Sequence, residues 1–234
     1  MGQTDWTFLD DGLVASVVRR GVTAGITPPP GGEDFIFAFN STSAVEGAVG
    51  LFANQVDFAP MALGGSVSGV LQRGPSGGPL GFSPFFFVSC QGTSVNDSAY
   101  MLGLSDDDPH RIALRKGPVI TGIPDSEGSG MLLSSGDSYL LGTYLHVRLD
   151  VVYNENGDVV LQTLINDLDA NPLGTPPDWQ PIPGMPLFVD DVTGINSGSV
   201  PLSPGRAGFG FAVQDVTRRA YFDHIQIMRQ VEWL

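Results

Sequence analysis

Residues 144–168 read YLHVRLDVVYNENGDVVLQTLINDL. Leu145, Val147, Leu149 and Val151 point one way while His146, Arg148 and Asp150 point the other, the period-two pattern of a half-buried strand. The pattern resumes beyond Asn156-Gly157, a dipeptide suited to a tight reversal. Residues 205–229 (GRAGFGFAVQDVTRRAYFDHIQIMR) read as a second hairpin whose return strand carries Tyr221, Phe222, Asp223, His224 and Ile225. Together these segments predict a two-sheet antiparallel β-sandwich whose last strand lies inside the fold.

Further strands are expected at 12–22, 34–40, 66–73, 84–91, 99–104, 111–116 and 186–189, with 144–153, 158–168, 208–214 and 220–229 from the two hairpins. The 31 glycines and 18 prolines fall mainly between these apolar runs, as in a chain of many short strands joined by turns. Phe85, Phe86, Phe87 and Val88 are apolar on both sides, which predicts a strand in mid-sheet with both faces covered. One stretch, 43–56 (SAVEGAVGLFANQV), has weak helical character, against which its two glycines argue. At 234 residues the chain suits a single domain, 1–234.

The formal net charge is −14 with a single lysine, Lys116. Phosphate binding needs clustered Lys and Arg, so no nucleic-acid partner is expected. The lone Cys90 rules out an internal disulfide and reads as a small core residue. No apolar run reaches the roughly 20 residues of a membrane helix, so no membrane partner is expected. The opening MGQTDWTFLDDG has neither the basic nor the apolar region of a secretory signal. The expectation is a chain made in a cytosol.

Residues 84–117 run strand, loop, "AYMLGLS" strand, acidic turn and "RIALRKG" strand. They resemble the middle of concanavalin A-like (laminin-G-like) jelly rolls, where a paired hairpin of this kind precedes a long one. The ending, Gly208-Phe209-Gly210 followed by Tyr221-Phe222-Asp223, is similar to that family's closing strands. The resemblance spans about 84–229 and implies an all-β, two-sheet antiparallel jelly-roll sandwich. It implies no single activity, because the fold hosts lectins, lyases, hydrolases and virion proteins.

Family glucanases place a Glu-x-Asp-x-x-Glu run on one strand, so that two carboxylates share a face. The five glutamates here, Glu33, Glu46, Glu127, Glu155 and Glu232, are scattered. The Tyr-x-Lys-x-Gly-x-Tyr run of alginate-lyase members is absent too. His146, Arg148 and Asp150 share one strand face and read as a solvated polar surface rather than a general-base cluster. The chain is therefore read as non-enzymatic, with no catalytic residues and no cofactor other than a structural calcium that the resemblance allows. The calcium candidates are Asp106, Asp107 and Asp108 in one tight turn, Asp190 and Asp191 before Gly194, and Asp223 at the place from which the family's closing strand supplies a ligand. The competing reading of Asp106–Asp108 is a turn start before Pro109.

The Pro-rich segment 171–186 (NPLGTPPDWQPIPGMP) reads as a surface excursion of the kind that carries recognition. Trp179, flanked by Asp178 and Gln180, is the candidate glycan-stacking residue; its alternative role is to pin the loop to the sandwich. Trp6 and Trp233 are expected to pack together at one end. The favoured functional expectation is a structural or adhesion subunit of an extracellular assembly, with phage capsid decoration, tail or fibre as the nearest examples. Its partners would be other virion proteins, further copies of itself and a cell-surface glycan, and its location the virion. A carbohydrate-binding lectin module and a polysaccharide hydrolase or lyase are the alternatives.

Overall fold

A computed structural model describes residues 6–10, 16–20, 28–32, 36–40, 48–54, 64–73, 82–92, 97–105, 110–118, 130–140, 142–213 and 219–229, with only the backbone described in the first strands up to Asn54. Among these residues there is no helix. The strands are β1 (Trp6–Asp10), β2 (Ser16–Arg20), β3 (Ile36–Asn40), β4 (Ala48–Asn54), β5 (Gly64–Arg73), β6 (Phe82–Cys90), β7 (Ser98–Leu104) and β8 (Arg111–Pro118). They continue as β9 (Met131–Ser138), β10 (Leu145–Tyr153), β11 (Val159–Asn166), β12 (Gln180–Pro181), β13 (Phe188–Asp190), β14 (Arg206–Val213) and β15 (Arg219–Arg229). One sheet has the order β1-β4-β14-β6-β7-β8-β9; the other runs β12-β11-β10-β5-β15-β3-β2, with β13 also pairing β11. Every pairing is antiparallel.

The expected long hairpin is β10–β11, paired from His146↔Asn166 to Tyr153↔Val159. Its turn is closed by Asn154 N–H donating to the Asp158 carbonyl at 2.9 Å and Gly157 N–H donating to the Asn154 carbonyl at 3.0 Å. Gly157 sits at φ 93°, a conformation that a Cβ disfavours, which is why the Asn-Gly pair marks this reversal.

One expectation needs correction, and several strands add to those expected. The 205–229 segment is not a hairpin: β14 joins the first sheet between β4 and β6, while β15 joins the second between β5 and β3. The chain crosses between layers there, and the apolar faces of the two strands meet across the core rather than edge to edge. Residues 48–54 of the 43–56 stretch form strand β4, paired with both β1 and β14, in line with the two glycines that argue against a helix there. Of the expected strand at 12–22, Ser16–Arg20 forms β2 in the second sheet, while β1, which precedes it in the first sheet, was not anticipated. Strands β9 and β12 were not anticipated, being polar and two residues long respectively.

The core lies between the layers. Phe86, Val88, Leu102, Leu104, Ile112, Leu114, Val147, Leu149, Phe209, Phe211 and Phe222 are all buried in it, and Ile225 packs against it partly buried. Phe222 stands edge-on to Phe86 at 5.8 Å between ring centroids and tilted against Phe209 at 5.0 Å. Phe85 and Phe87, on the opposite face of β6, are also fully buried, so the strand is covered on both sides as expected. Cys90 is a buried free thiol, and burial pushes its pKa up, consistent with an inert core residue. No helix among the described residues is long and apolar enough to cross a membrane.

Candidate functional site

The outer face of the eight-stranded sheet carries the polar half of the alternation. From β10 it presents His146, Arg148 and Asp150, and across β11 these oppose Asn166, Leu164 and Gln162. On the other flank they oppose Val70, Ser68 and Ser66 of β5. Next comes β15, where the register slips between Asp223 and Gln226. The slip is a β-bulge, and His224 is its extra residue, held at φ 51°. A non-glycine residue in that region is strained, and such strain concentrates at functional positions.

Gly69 makes the bulge fit. A Cβ added there would lie 2.9 Å from Phe86 Cζ, 3.1 Å from the Asp223 carbonyl oxygen and 3.2 Å from Ile225 Cα. With hydrogen at that position, the backbone of β15 arches over β5. His224 is exposed on the arch, with its ring 6.3 Å from that of His146 and perpendicular to it. Its Nε2 lies 3.0 Å from the Gln226 side-chain amide.

The Pro-rich segment folds back onto this face. Leu173 N–H donates to the Pro30 carbonyl at 2.9 Å, and Leu173 joins Leu168, Val70 and Tyr144 in a small second apolar cluster. Gly31, at φ 74°, sits so close that a Cβ would lie 2.1 Å from the Leu173 carbonyl oxygen. Further along the segment, the Trp179 ring lies 4.6 Å from the His146 ring, inclined at 61°, and the Arg148 guanidinium lies 6.0 Å from the Trp179 ring centre. Trp179 is half-buried. It therefore holds the segment to the sheet and also forms one wall of a groove floored by His146, Arg148, His224 and Gln226. Asp178 and Gln180 are exposed beside it and bonded to each other, the Gln180 amide donating to Asp178 Oδ1 at 2.8 Å.

The groove's electrostatics follow from burial. Arg148 Nε donates to Asp150 Oδ1 at 2.5 Å. Burial pushes the Asp150 carboxyl up, and its Arg148 partner pulls in the opposite direction. His146 is only 4% exposed, so burial, with the nearby His224, lowers its pKa from 6.5 to about 4. It is a neutral imidazole, not the solvated cation of an open polar surface. A cavity of about 400 Å³ opens between Tyr139, Tyr144, Leu145, Ile165, Asn166 and Leu168. Burial, with Tyr221 and Asp223, raises the Tyr144 pKa to about 12, so the phenol stays protonated.

Of the calcium candidates, Asp190, Asp191 and Asp223 lie among the described residues. Asp190 is fully enclosed and spends both oxygens on protein: Oδ2 takes Lys116 Nζ at 2.7 Å and the Tyr100 hydroxyl at 2.5 Å, and Oδ1 takes the Ser197 hydroxyl at 2.5 Å. Lys116 Nζ also donates to the Ser199 and Val200 carbonyls at 2.8 and 2.7 Å, so the chain's single lysine clamps loop 190–202 to the first sheet. Asp191 accepts from the Thr193 N–H at 2.8 Å and from its hydroxyl, as a turn residue does. Asp223 Oδ1 accepts the His224 N–H at 2.7 Å within the bulge. Among the described residues no three His, Cys, Asp or Glu side chains cluster in a way that would hold a metal. Asp106–Asp108 lie outside the described residues, as does Trp233, and of Trp6 only the backbone is described.

His224 and Asn166 were not among the candidates read from sequence. The sequence signals for them were a histidine interrupting the alternation of the last strand and an asparagine directly opposite His146.

No family model and no curated protein sequence matches the chain. Solved structures do match in fold. The PL-14 alginate lyase from Aplysia kurodai superposes with a TM-score of 0.54 at 11% identity, over 97% of this chain and 91% of that one. The potassium-bound carbohydrate recognition domain of Emp46p gives 0.52 at 14% identity, over 98% and 90%. The exoplasmic/lumenal domain of VIP36, bound to Ca²⁺ and Man3GlcNAc, gives 0.51 at 11% identity, over 100% and 87%. The chain thus has the concanavalin A-like jelly-roll fold, in agreement with its sequence resemblance.

Proposed function

We propose that this domain binds a saccharide across the outer face of the eight-stranded sheet. Trp179 is the stacking wall, and His146, Arg148, His224 and Gln226 form the hydrogen-bonding floor. The observation that carries the reading is the half-buried Trp179 ring set against His146 and Arg148 at the edge of that floor. A sugar ring offers an apolar C–H face and a rim of hydroxyls, and an aromatic wall beside polar side chains is complementary to both. The company of carbohydrate-recognition domains and a polysaccharide lyase in the same fold supports this choice. It favours the lectin-like alternative read from sequence over the structural or adhesion subunit that was the main expectation there.

A second reading has one specific observation behind it. His224 is an exposed imidazole in a strained conformation, on the same face as Arg148. In a uronate-cleaving lyase, a base takes the proton α to the carboxylate, a cation neutralises that carboxylate, and the electron pair forms a double bond as the glycosidic oxygen leaves. A glycan array probed with wild type and His224→Ala, alongside an absorbance assay for unsaturated ends on polyuronates, separates the readings. Retained glycan with no unsaturated product supports binding. Steady product formation that His224→Ala abolishes replaces it with the lyase reading.

As the setting, the proposal keeps the sequence-based expectation of a repeated or attached subunit in a virion or similar assembly, displaying the groove to a cell-surface glycan. Sedimentation of the purified chain tests the repeated-subunit part: a strictly monomeric species at all concentrations contradicts it.

A further inference from the structure

The side-chain amide of Asn166 has only one orientation. Its Oδ1 lies 2.9 Å from the Asp178 backbone N–H, a group that can only donate. Its Nδ2 lies 3.0 Å from the Asn171 carbonyl, a group that can only accept. Flipping the amide would break both bonds, so oxygen and nitrogen are assigned by two independent neighbours. The same Nδ2 lies 3.1 Å from His146 Nδ1. An amide nitrogen has no lone pair to offer, so His146 Nδ1 must accept, and the ring proton of the neutral imidazole is on Nε2.

The Nε2–H has no partner among the described residues, and it is not one of the enclosed unpartnered polar atoms, so it keeps access to the groove. Two positions along β10, on the same face, Arg148 has committed its Nε to Asp150, and no described residue pairs with its terminal amino groups. Both side chains flank the Trp179 ring. The floor beside the aromatic wall thus presents two groups that donate and cannot accept. A hydroxyl meets such a floor with one useful lone pair and a proton to place elsewhere. A carboxylate or an acetamido carbonyl meets it with acceptor capacity alone.

We infer that Asn166 is a positioning residue that locks His146 as an Nε2–H donor beside Arg148, so that the groove selects a sugar unit bearing an acceptor-only oxygen group over the same unit bearing a hydroxyl. The selectivity rests on the glycan-binding reading; the lock does not. Burial and the neighbouring His224 keep the ring uncharged over the working range, which makes the donor a neutral one. The charged or titratable groups around the ring are His224 and Asp223 from β15, Tyr144 beside it, Arg148 and Asp150 from its own strand, and Asp178 from the loop.

The lock is read without any ligand by ¹⁵N-histidine NMR on the intact chain. Wild type is expected to show His146 with a protonated Nε2 and a bare Nδ1, unchanged from pH 8 to 5.5. Asn166→Asp replaces the donating amide by an acceptor and is expected to move the proton to Nδ1. A wild-type Nδ1–H tautomer, or a wild-type ring that titrates near 6.5, overturns the lock even if the variant does not fold.

Selectivity is read by calorimetry with three tetrasaccharides on one β-1,4-gluco backbone: cellotetraose, its C6-carboxylate counterpart and its 2-acetamido counterpart. At least one acceptor-bearing tetramer is expected to bind about tenfold or more tighter than cellotetraose, with Asn166→Asp losing that margin. Equal or tighter binding of cellotetraose overturns the selectivity and leaves glycan binding standing. Binding of no saccharide overturns both, while the spectrum still decides the lock.

Discussion

Lys116→Met isolates the buried clamp of the first sheet. The Lys116 and Asp190 side chains are 4% and 0% exposed and meet at 2.7 Å. Methionine nearly matches the lysine stem in length, so little cavity forms. What remains is a fully enclosed carboxylate supported only by the Tyr100 and Ser197 hydroxyls, together with two backbone carbonyls that lose their ammonium donor. Removing one partner of a buried pair costs about 3–5 kcal/mol, because the surviving charge stays desolvated. For a domain of this size, that corresponds to a fall in Tm of about 6–20 °C at roughly 2–4 °C per kcal/mol. Urea and thermal unfolding followed by circular dichroism measure it. The double variant Lys116→Met with Asp190→Asn, in which no charge is buried, should recover more than half of the loss. A single variant melting within about 3 °C of wild type would refute the reasoning, since Asp190 would then not be desolvated in the folded chain.

Three further outcomes are expected. The unfolded chain takes a proton on His146 near pH 6.5, which the folded chain refuses until about pH 4, so stability should fall as pH drops through that window and stay flat above it. The full gap is worth about 3 kcal/mol, partly offset lower in the window by the raised Asp150, and urea midpoints of His146→Gln against pH should show a shallower slope than wild type. Phe222→Ala should cost about 3–5 kcal/mol in denaturant melts, because the ring is fully enclosed between Phe86 and Phe209, and a loss under about 1 kcal/mol would contradict the register of β15. Gly69→Ala should lower stability by about 1–3 kcal/mol and displace the His224 resonances in the histidine spectrum, since the new methyl meets backbone of the bulge; an unchanged spectrum contradicts the close approach.

How far the sequence could be read depended on the range of the interaction. The alternation along β10 and β11 and the Asn-Gly turn are local, and they predicted the hairpin correctly. The crossing between β14 and β15 is not local: turn residues bring two strands near each other, but which sheet each joins is decided by β4, β6, β5 and β3, up to some 180 residues away. The same limit hid the site. His146 faces outward by parity, yet it is buried because a loop from the 170s folds over it, a fact that periodicity along β10 does not carry. Asp190 looked like a metal ligand because its partner Lys116 is distant in sequence. His224 owes its place to a bulge, which breaks the period on which strand reading depends, and Asn166 gains meaning only from its register with His146. Trp179 was legible as a lone aromatic in a Pro-rich excursion, though not that its ring would lie against the very strand face read as plain polar surface.

The most direct test of the glycan-binding claim pairs affinity with stability for Trp179→Ala, using whichever oligosaccharide wild type retains on the array. The account predicts that Kd rises at least about tenfold while Tm stays within about 4 °C, because the half-buried ring contributes more to the ligand than to the fold. Unchanged affinity together with early unfolding would contradict it, leaving Trp179 as an anchor for the loop and the groove without its wall.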